Sequence, residues 1–319
     1  MRLNVRSRQA LFAAAIGATL VLSGCGKDND DANSSTGGVT LGFVNGADTE
    51  FHTCLQKAVE QTAKQEGAKI YTANSHQDSS AELSNIEDMT SRNVSALIVQ
   101  TVNVDALKGD IAKAKAAGVP LYLTSVATSD MDDVLGAAVV DLKKAGALDA
   151  EWVAKDAGGK KAEVGIIAGA PGAASDLLVG GFKDALPANA TVVADQPAMF
   201  NPVKAQDVAE NMIQAHPKLS YVFVANEEMA FAARKAFDAA GHKDVTIVTV
   251  NGTPEGVAAV KDGRFGATVA NSAMTIGDTA VKNVLGLLSK KASVDKIANI
   301  PLVLVTKDNL NDAPQYCPK

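Results

Sequence analysis

The chain has 319 residues, 47% of them hydrophobic and 21% charged, with 30 basic against 36 acidic side chains and a formal net charge of −6. That length accommodates about two domains with a sizeable core. The acidic balance and the lack of any long basic run argue against nucleic acid as a partner, because phosphate recognition draws on clustered Lys and Arg.

At the N-terminus, Arg2, Arg6 and Arg8 precede an apolar run from Ala10 to Leu22. A positive segment followed by a short apolar one is an export signal, and this run is shorter than the roughly 20 residues of a bilayer span. It ends in Leu22-Ser23-Gly24-Cys25, which resembles the lipobox of bacterial lipoproteins. The resemblance implies cleavage after residue 24, diacylation of Cys25, and contact with the membrane through that anchor only. Loss of the three arginines leaves 27 basic and 36 acidic side chains, a balance of −9. Residues 25–38 are rich in Gly, Asp, Asn, Ser and Thr, with Ala32 as the one apolar side chain after the cysteine. Such a stretch cannot bury a core and reads as a flexible tether.

The body begins with an apolar strand, Val39 to Val44, and a helical stretch from Phe51 to Glu66 that stops at Gly67. Glycine accepts the left-handed conformation that follows a last helical turn. The same punctuation recurs at Ala117-Gly118 before the strand Val119 to Leu123, and at Ala240-Gly241 before Val245 to Val250. Further strands are expected at Lys69 to Tyr71, Ala96 to Val99, Val164 to Ala168, Thr191 to Ala194, Tyr221 to Val224 and Ala267 to Ala270, with an extended run at Val134 to Val140. Trp152 falls in the amphipathic stretch Asp141 to Ala157, where a core position is expected.

Apolar strands alternating with helices imply parallel sheets covered on both faces. The reading is α/β, with two doubly wound parallel-sheet lobes joined by a multi-crossing hinge. Chain crossings are expected near residues 140–141, 271 and 300. They assign residues 39–140 and 272–300 to an N-terminal lobe, and 141–271 and 301–319 to a C-terminal lobe and tail. Open parallel sheets bind ligands outside the carboxyl ends of their strands, so loops facing each other across two lobes define a cleft that hinge motion can close.

Four groups of residues occur in order at fitting intervals: Gln196-Pro197-Ala198, Ala215-His216-Pro217, Asn226-Glu227-Glu228-Met229-Ala230 and Asn251-Gly252-Thr253-Pro254. With Asp88-Met89-Thr90 and the stretch from Ala267 to Gly277, they resemble the type I periplasmic sugar-binding family, in its ribose-binding group, from about Val39 to Val305. The resemblance implies an extracytoplasmic solute-binding component of an ABC importer, monomeric, partnered by a permease and closing on a small ligand. A sensing module that feeds a membrane kinase or chemoreceptor through the same clamp is the second reading. By position, Phe51 and Phe200 match aromatic walls, Asn226, Asn251 and Asn271 match polar ligand contacts, and Thr49, Gln100 and Ser125 occupy three more such positions. His52 stands where the family has a second aromatic. Singly, a phenylalanine at a helix start is core and an asparagine after a strand is a turn or cap residue.

The chain departs from the sugar pattern in its charges. An Asp-Arg pair after the fourth strand is replaced by Ser125-Val126, a ligand-binding arginine by Leu178, and an aspartate by Asn251. Losing two arginines and two aspartates together turns a charge-assisted cage into a neutral one. The expected ligand is therefore neutral and hydroxyl-rich, with an acyclic polyol favoured over a cyclic sugar. Asp48, Glu50, Asp176 and Glu227 lie near the same loops and are read as caps of helix N-termini.

Catalytic readings find no support in the residue pattern. His52, His76, His216 and His242 lack the spacing of a metal site or triad, and His52-Thr53-Cys54 alone is a weak metal signal. The loop Gly169-Ala170-Pro171-Gly172 lacks the Lys-Ser/Thr of a phosphate-binding loop. No cofactor or metal is expected. With Cys25 assigned to lipid, Cys54 and Cys317 are left as an even pair in an oxidising compartment, either disulfide-bonded or, for Cys54, a small buried hydrophobe.

Overall fold

A computed structural model describes residues 38–319. The leader, Cys25 and nearly all of the tether lie outside the described residues. The chain runs β1 (Thr40–Asn45), α1 (Glu50–Gln65), β2 (Lys69–Asn74), α2 (Ser79–Ser91), β3 (Ala96–Val99), α3 (Lys108–Ala116), β4 (Leu121–Ser125) and β5 (Gly136–Val140). It continues with α4 (Leu142–Ala157), β6 (Ala162–Ala168), α5 (Ala173–Ala185), β7 (Ala190–Pro197), α6 (Pro202–Ala215), β8 (Leu219–Val224), α7 (Glu227–Ala239), β9 (Thr246–Asn251), α8 (Pro254–Asp262) and β10 (Ala267–Ala270). Then come α9 (Ala273–Leu288), β11 (Ile297–Ile300), β12 (Val303–Val305) and a 3-10 turn at Leu310–Asp312.

Two six-stranded sheets result, ordered β11-β5-β4-β3-β1-β2 and β12-β10-β9-β8-β6-β7. Their apolar strands are buried on both faces, as parallel strands sandwiched between helices must be. In β3 all four side chains are buried: Ala96 and Ile98 join the core that includes Leu55 and Val59 of α1, while Leu97 and Val99 join Ile86 of α2 and Ile111 of α3. Each fully buried Val, Leu or Ile contributes about 1.5–3 kcal/mol. The second lobe packs α4 on α5 and α6 on α7 around its sheet.

Local signals set the helix ends. Gly67, Gly118 and Gly241 follow helices with φ of 72°, 77° and 85°, where a Cβ is disfavoured. Asp78, Asp141, Asn201 and Thr253 accept from backbone N–H groups in the first turns of α2, α4, α6 and α8, each cap worth about 1 kcal/mol. Trp152 is partly buried and packs against the second-lobe core.

The chain passes from the first sheet to the second between β5 and α4, returns between β10 and α9, and passes over again between β11 and β12. One strand differs from the parallel expectation, for β12 runs antiparallel to β10. Neither β11 nor β12 was evident in the sequence. They are short, separated only by Pro301 and Leu302, and have no helix between them to mark a strand-helix alternation. Beyond β12, a disulfide joins Cys317 to Cys54 of α1, 263 residues earlier in the chain.

Candidate functional site

A cavity of about 360 Å³ lies between the lobes, toward the lower end of the 300–1,000 Å³ range of small-molecule pockets. Its walls come from loops at the carboxyl ends of strands: Gly46 to His52 after β1, Gln100 after β3, Ser125 at the end of β4, Phe200 after β7, Asn226 after β8, Asn251 at the end of β9 and Asn271 after β10. All nine residues singled out in the sequence, Thr49, Phe51, His52, Gln100, Ser125, Phe200, Asn226, Asn251 and Asn271, line it.

On the first-lobe side, Gln100 is buried and its Oε1 accepts from the hydroxyls of Thr124 (2.6 Å) and Ser125 (3.0 Å). The carbonyl is thereby occupied, and the Nε2 amide is the group left to act as donor. Ser125 adopts φ 64°, a left-handed conformation that costs a non-glycine residue about 1–3 kcal/mol and recurs at functional sites. Thr49 caps nothing with its side chain; its Oγ1 lies 2.8 Å from Nδ1 of His52. Phe51 sets its ring edge-on to His52, with centroids 5.4 Å apart. Desolvation lowers the His52 pKa to about 4, against an upward pull from Asp48, so the imidazole is neutral near pH 7.

On the second-lobe side, Asn226 is both a cap and a cavity wall. Its Oδ1 accepts from Met229 N–H at 3.0 Å, which leaves Nδ2. Asn251 donates through Nδ2 to the hydroxyl of Tyr316 at 2.6 Å, which leaves Oδ1 as acceptor. Asn271 is 8% exposed, and its Oδ1 is buried without a partner. An unmet buried acceptor costs about 1–3 kcal/mol, so this oxygen calls for a donor. Phe200, at φ 52°, lays its ring against Gly169, where a Cβ would fall 2.1 Å from ring carbon Cζ.

None of the cavity-lining residues is Asp, Glu, Lys or Arg. The neighbouring acids are engaged elsewhere. Asp48 pairs with His76 and accepts from Asn74. Glu227, expected at its own helix N-terminus, turns its carboxylate to the next loop instead, accepting from Gly252 N–H (2.9 Å), Thr253 N–H (3.0 Å) and the Thr268 hydroxyl (2.6 Å). Burial raises its pKa to about 7 against the pull of these donors. A Cβ on Gly256 would collide with this carboxylate, so glycine there makes room for it.

Leu178 lines the cavity at the position where the sugar pattern has arginine, and the loop Ala170-Pro171-Gly172 borders it too. Sequence reasoning missed Gln77 and Met199. Both have positive φ, at 64° and 59°, and both line the cavity. It also missed Tyr316, whose place beside Asn251 no local pattern could signal. Among the described residues no group of three or more His, Cys, Asp and Glu gathers as a metal site.

Comparison with known proteins supplies the context. A family model described as periplasmic binding protein domain matches residues 42–292. The ribose import binding protein RbsB of Bacillus subtilis is 32% identical over 270 residues, covering 84% of this chain and 87% of its own. A xylitol-binding protein of Mycolicibacterium smegmatis is 27% identical over 98% of this chain and 90% of its own. In fold, a crystal structure of an ABC transporter solute binding protein from Mycobacterium smegmatis with bound glycerol superposes with a TM-score of 0.82 at 23% identity, covering 89% of this chain and all of that one.

Proposed function

Since the chain belongs to the periplasmic binding protein domain family, we propose that it is the extracytoplasmic binding component of an ABC importer and that its cavity closes on a neutral, polyhydroxylated small molecule. The observation that carries this reading is the make-up of the cavity wall: uncharged throughout, with amide groups from both lobes and two phenylalanine faces. A polyol or sugar has a C–H surface that suits Phe51 and Phe200, and hydroxyls that each donate and accept. Amides answer them in kind. Gln100 and Asn226 offer donors, Asn251 and Asn271 acceptors, so one ligand can bond to both lobes at once.

Bonding to both lobes is what couples capture to closure. A ligand that moves the clamp from 1:99 to 99:1 must favour the closed form by about 5.5 kcal/mol. Hydrogen bonds and apolar contacts made only when both walls meet the ligand supply such a difference. The permease then reads the closed form and the open form releases ligand. No bond of the ligand is made or broken, so the protein works as a binding protein and not as an enzyme.

Among ligands, an acyclic polyol suits the site better than a cyclic aldose. With Ser125, Val126, Leu178 and Asn251 in place of charged groups, the site lacks fixed charge-assisted bonds, and a flexible chain of hydroxyls can turn to meet amide partners. Relatives described as binding xylitol and, in solved structures, glycerol and myo-inositol accord with that preference. Cys25 carries the lipid that holds the protein, as a monomer, at the outer face of the cytoplasmic membrane. No helix among the described residues is long and apolar enough to cross a membrane.

A thermal-shift panel tests the ligand class. Tetritols, pentitols, hexitols and inositols are expected to raise the melting temperature. Protection by pentoses and hexoses alone would remove the polyol preference. Protection by amines or carboxylates alone would remove the neutral-ligand reading.

A further inference from the structure

The end of the chain forms a strap between the two lobes. It leaves the second sheet at β12, makes the 3-10 turn at Leu310–Asp312, which packs beside α8 and β12, and then runs back toward the first lobe. Three hydrogen bonds hold it on the way. Ser272 Oγ donates to the Gln315 carbonyl at 2.6 Å, Met274 N–H donates to the Tyr316 carbonyl at 2.9 Å, and Asn251 Nδ2 donates to the Tyr316 hydroxyl at 2.6 Å. The strap then ends covalently on the first lobe, at the disulfide between Cys317 and Cys54.

From this juxtaposition we propose that the strap belongs to the binding machinery: Tyr316 is a positioning residue that fixes the Asn251 amide, and the Cys54–Cys317 disulfide is a redox-sensitive tether limiting how far the lobes part. The second half of the proposal rests on the hinged-clamp reading given above.

Asn251 needs such support. Its φ of 148° is one that side chains rarely adopt, and the next residue, Gly252, sits at φ 76° with a Cβ there barred by Ala270 at 2.5 Å. The backbone is held from both sides, by Glu227 accepting from Gly252 and Thr253, and by Asn271 N–H donating to the Asn251 carbonyl at 2.9 Å. Only Tyr316 holds the side chain. With Nδ2 committed to the phenol, the cavity meets Oδ1, an acceptor. Without the phenol the amide is free to turn over and present a donor. Tyr316, 2% exposed, thus sets the polarity of one wall of the site without lining it.

Covalent connectivity gives the tether its effect. The lobes are joined by three chain crossings, and the disulfide makes the strap a fourth. Residues 313–317 reach at most about 3.6 Å each, so separation of α1 from the turn at Leu310–Asp312 has a ceiling while the bond is intact. Cys54 lies one turn after Phe51 on α1, so the tether acts on the helix whose first turn forms part of the cavity wall. Two electrons and two protons from a dithiol open the S–S bond to two thiols, with the dithiol oxidised to its own disulfide, and the ceiling is removed.

Small-angle scattering on ligand-stripped protein tests the tether, comparing oxidised wild type, wild type reduced with dithiothreitol, and C54S/C317S. Both reduction and substitution are expected to give a larger radius of gyration than the oxidised protein, with no further effect of reductant on the variant. Equal radii in all three would overturn the tether. Calorimetry with xylitol, D-ribose and myo-inositol as probes tests Tyr316. Y316F is expected to bind the preferred probe about tenfold more weakly and to narrow the ratio of affinities among the probes. Wild-type affinity and ratio in Y316F would overturn the positioning role. Failure of every probe to compact the wild-type protein counts against the clamp reading, and is distinct from a strap that makes no difference to the open form.

Discussion

The backbone N–H of Glu50, first residue of α1, donates across the mouth of the cavity to Oε2 of Glu228 on α7, at 3.2 Å. A helix N-terminus has free N–H groups, and the usual capping side chain, Thr49, is turned to His52 instead. A carboxylate of the opposite lobe therefore caps α1 in the closed arrangement. Desolvation raises the pKa of Glu228 against the pull of this bond, and raises that of Glu50 with help from the charges of Glu228 and Glu255.

Replacing Glu228 with alanine removes the cap, and about 1 kcal/mol of closed-state preference with it. Ligand release is expected to quicken roughly fivefold, while E228Q, which keeps an acceptor, stays near wild type. Stopped-flow dissociation rates of the two variants check this.

Gly169 makes room for the ring of Phe200. G169A is expected to push the ring from its seat, at an overpacking cost of about 1–3 kcal/mol, and to weaken ligand binding at least tenfold. Gly180, on α5 with open space around its Cβ direction, is the control. G180A is expected to leave binding alone and add about 0.5–1 kcal/mol of stability. Melting temperatures and titrations of both variants decide the matter.

Asn226 and Asn271 separate binding from folding. The Asn271 Oδ1 has no partner in the protein, so N271A is expected to weaken binding by about 1–3 kcal/mol with little loss of stability. Asn226 also caps α7, so N226A is expected to lose affinity and about 1 kcal/mol of stability together. Chemical denaturation without ligand, beside calorimetry with it, resolves the two.

Two buried groups give stability opposing slopes in pH. His52 falls from about 6.5 unfolded to about 4 folded, so the unfolded chain binds more protons between those values and stability rises with pH there. Glu227 rises from 4.5 to about 7, so the folded chain binds more protons and stability falls as pH climbs through that window. Urea midpoints from pH 4 to 8 are expected to lose the rising contribution in H52N and the falling one in E227Q. A pH profile unchanged by either substitution contradicts the assignment.

Much of this was legible in the sequence because it is local. Ala96 to Val99 and Ala267 to Ala270 read as strands from unbroken apolar runs, and Gly67, Gly118 and Gly241 marked the ends of helices. The cavity residues were legible because they sit where strands end, in a register shared with a known family. What escaped depends on distance. Tyr316 meets Asn251 across 65 residues, and nothing near Tyr316 announces it. Glu227 was assigned to its own helix, but its buried position turns it to the three donors of the next loop and strand. Strands β11 and β12 are held by partners elsewhere in the chain more than by their own weak patterns.

The central claim is that the uncharged cavity holds a neutral, hydroxyl-rich molecule. Its most direct test is mass spectrometry of whatever small molecule is released on denaturing gently purified protein. A neutral polyol or sugar, bound one to one and displaced by substitution of Asn271, is the expected result. A charged metabolite released in the same stoichiometry would contradict the account.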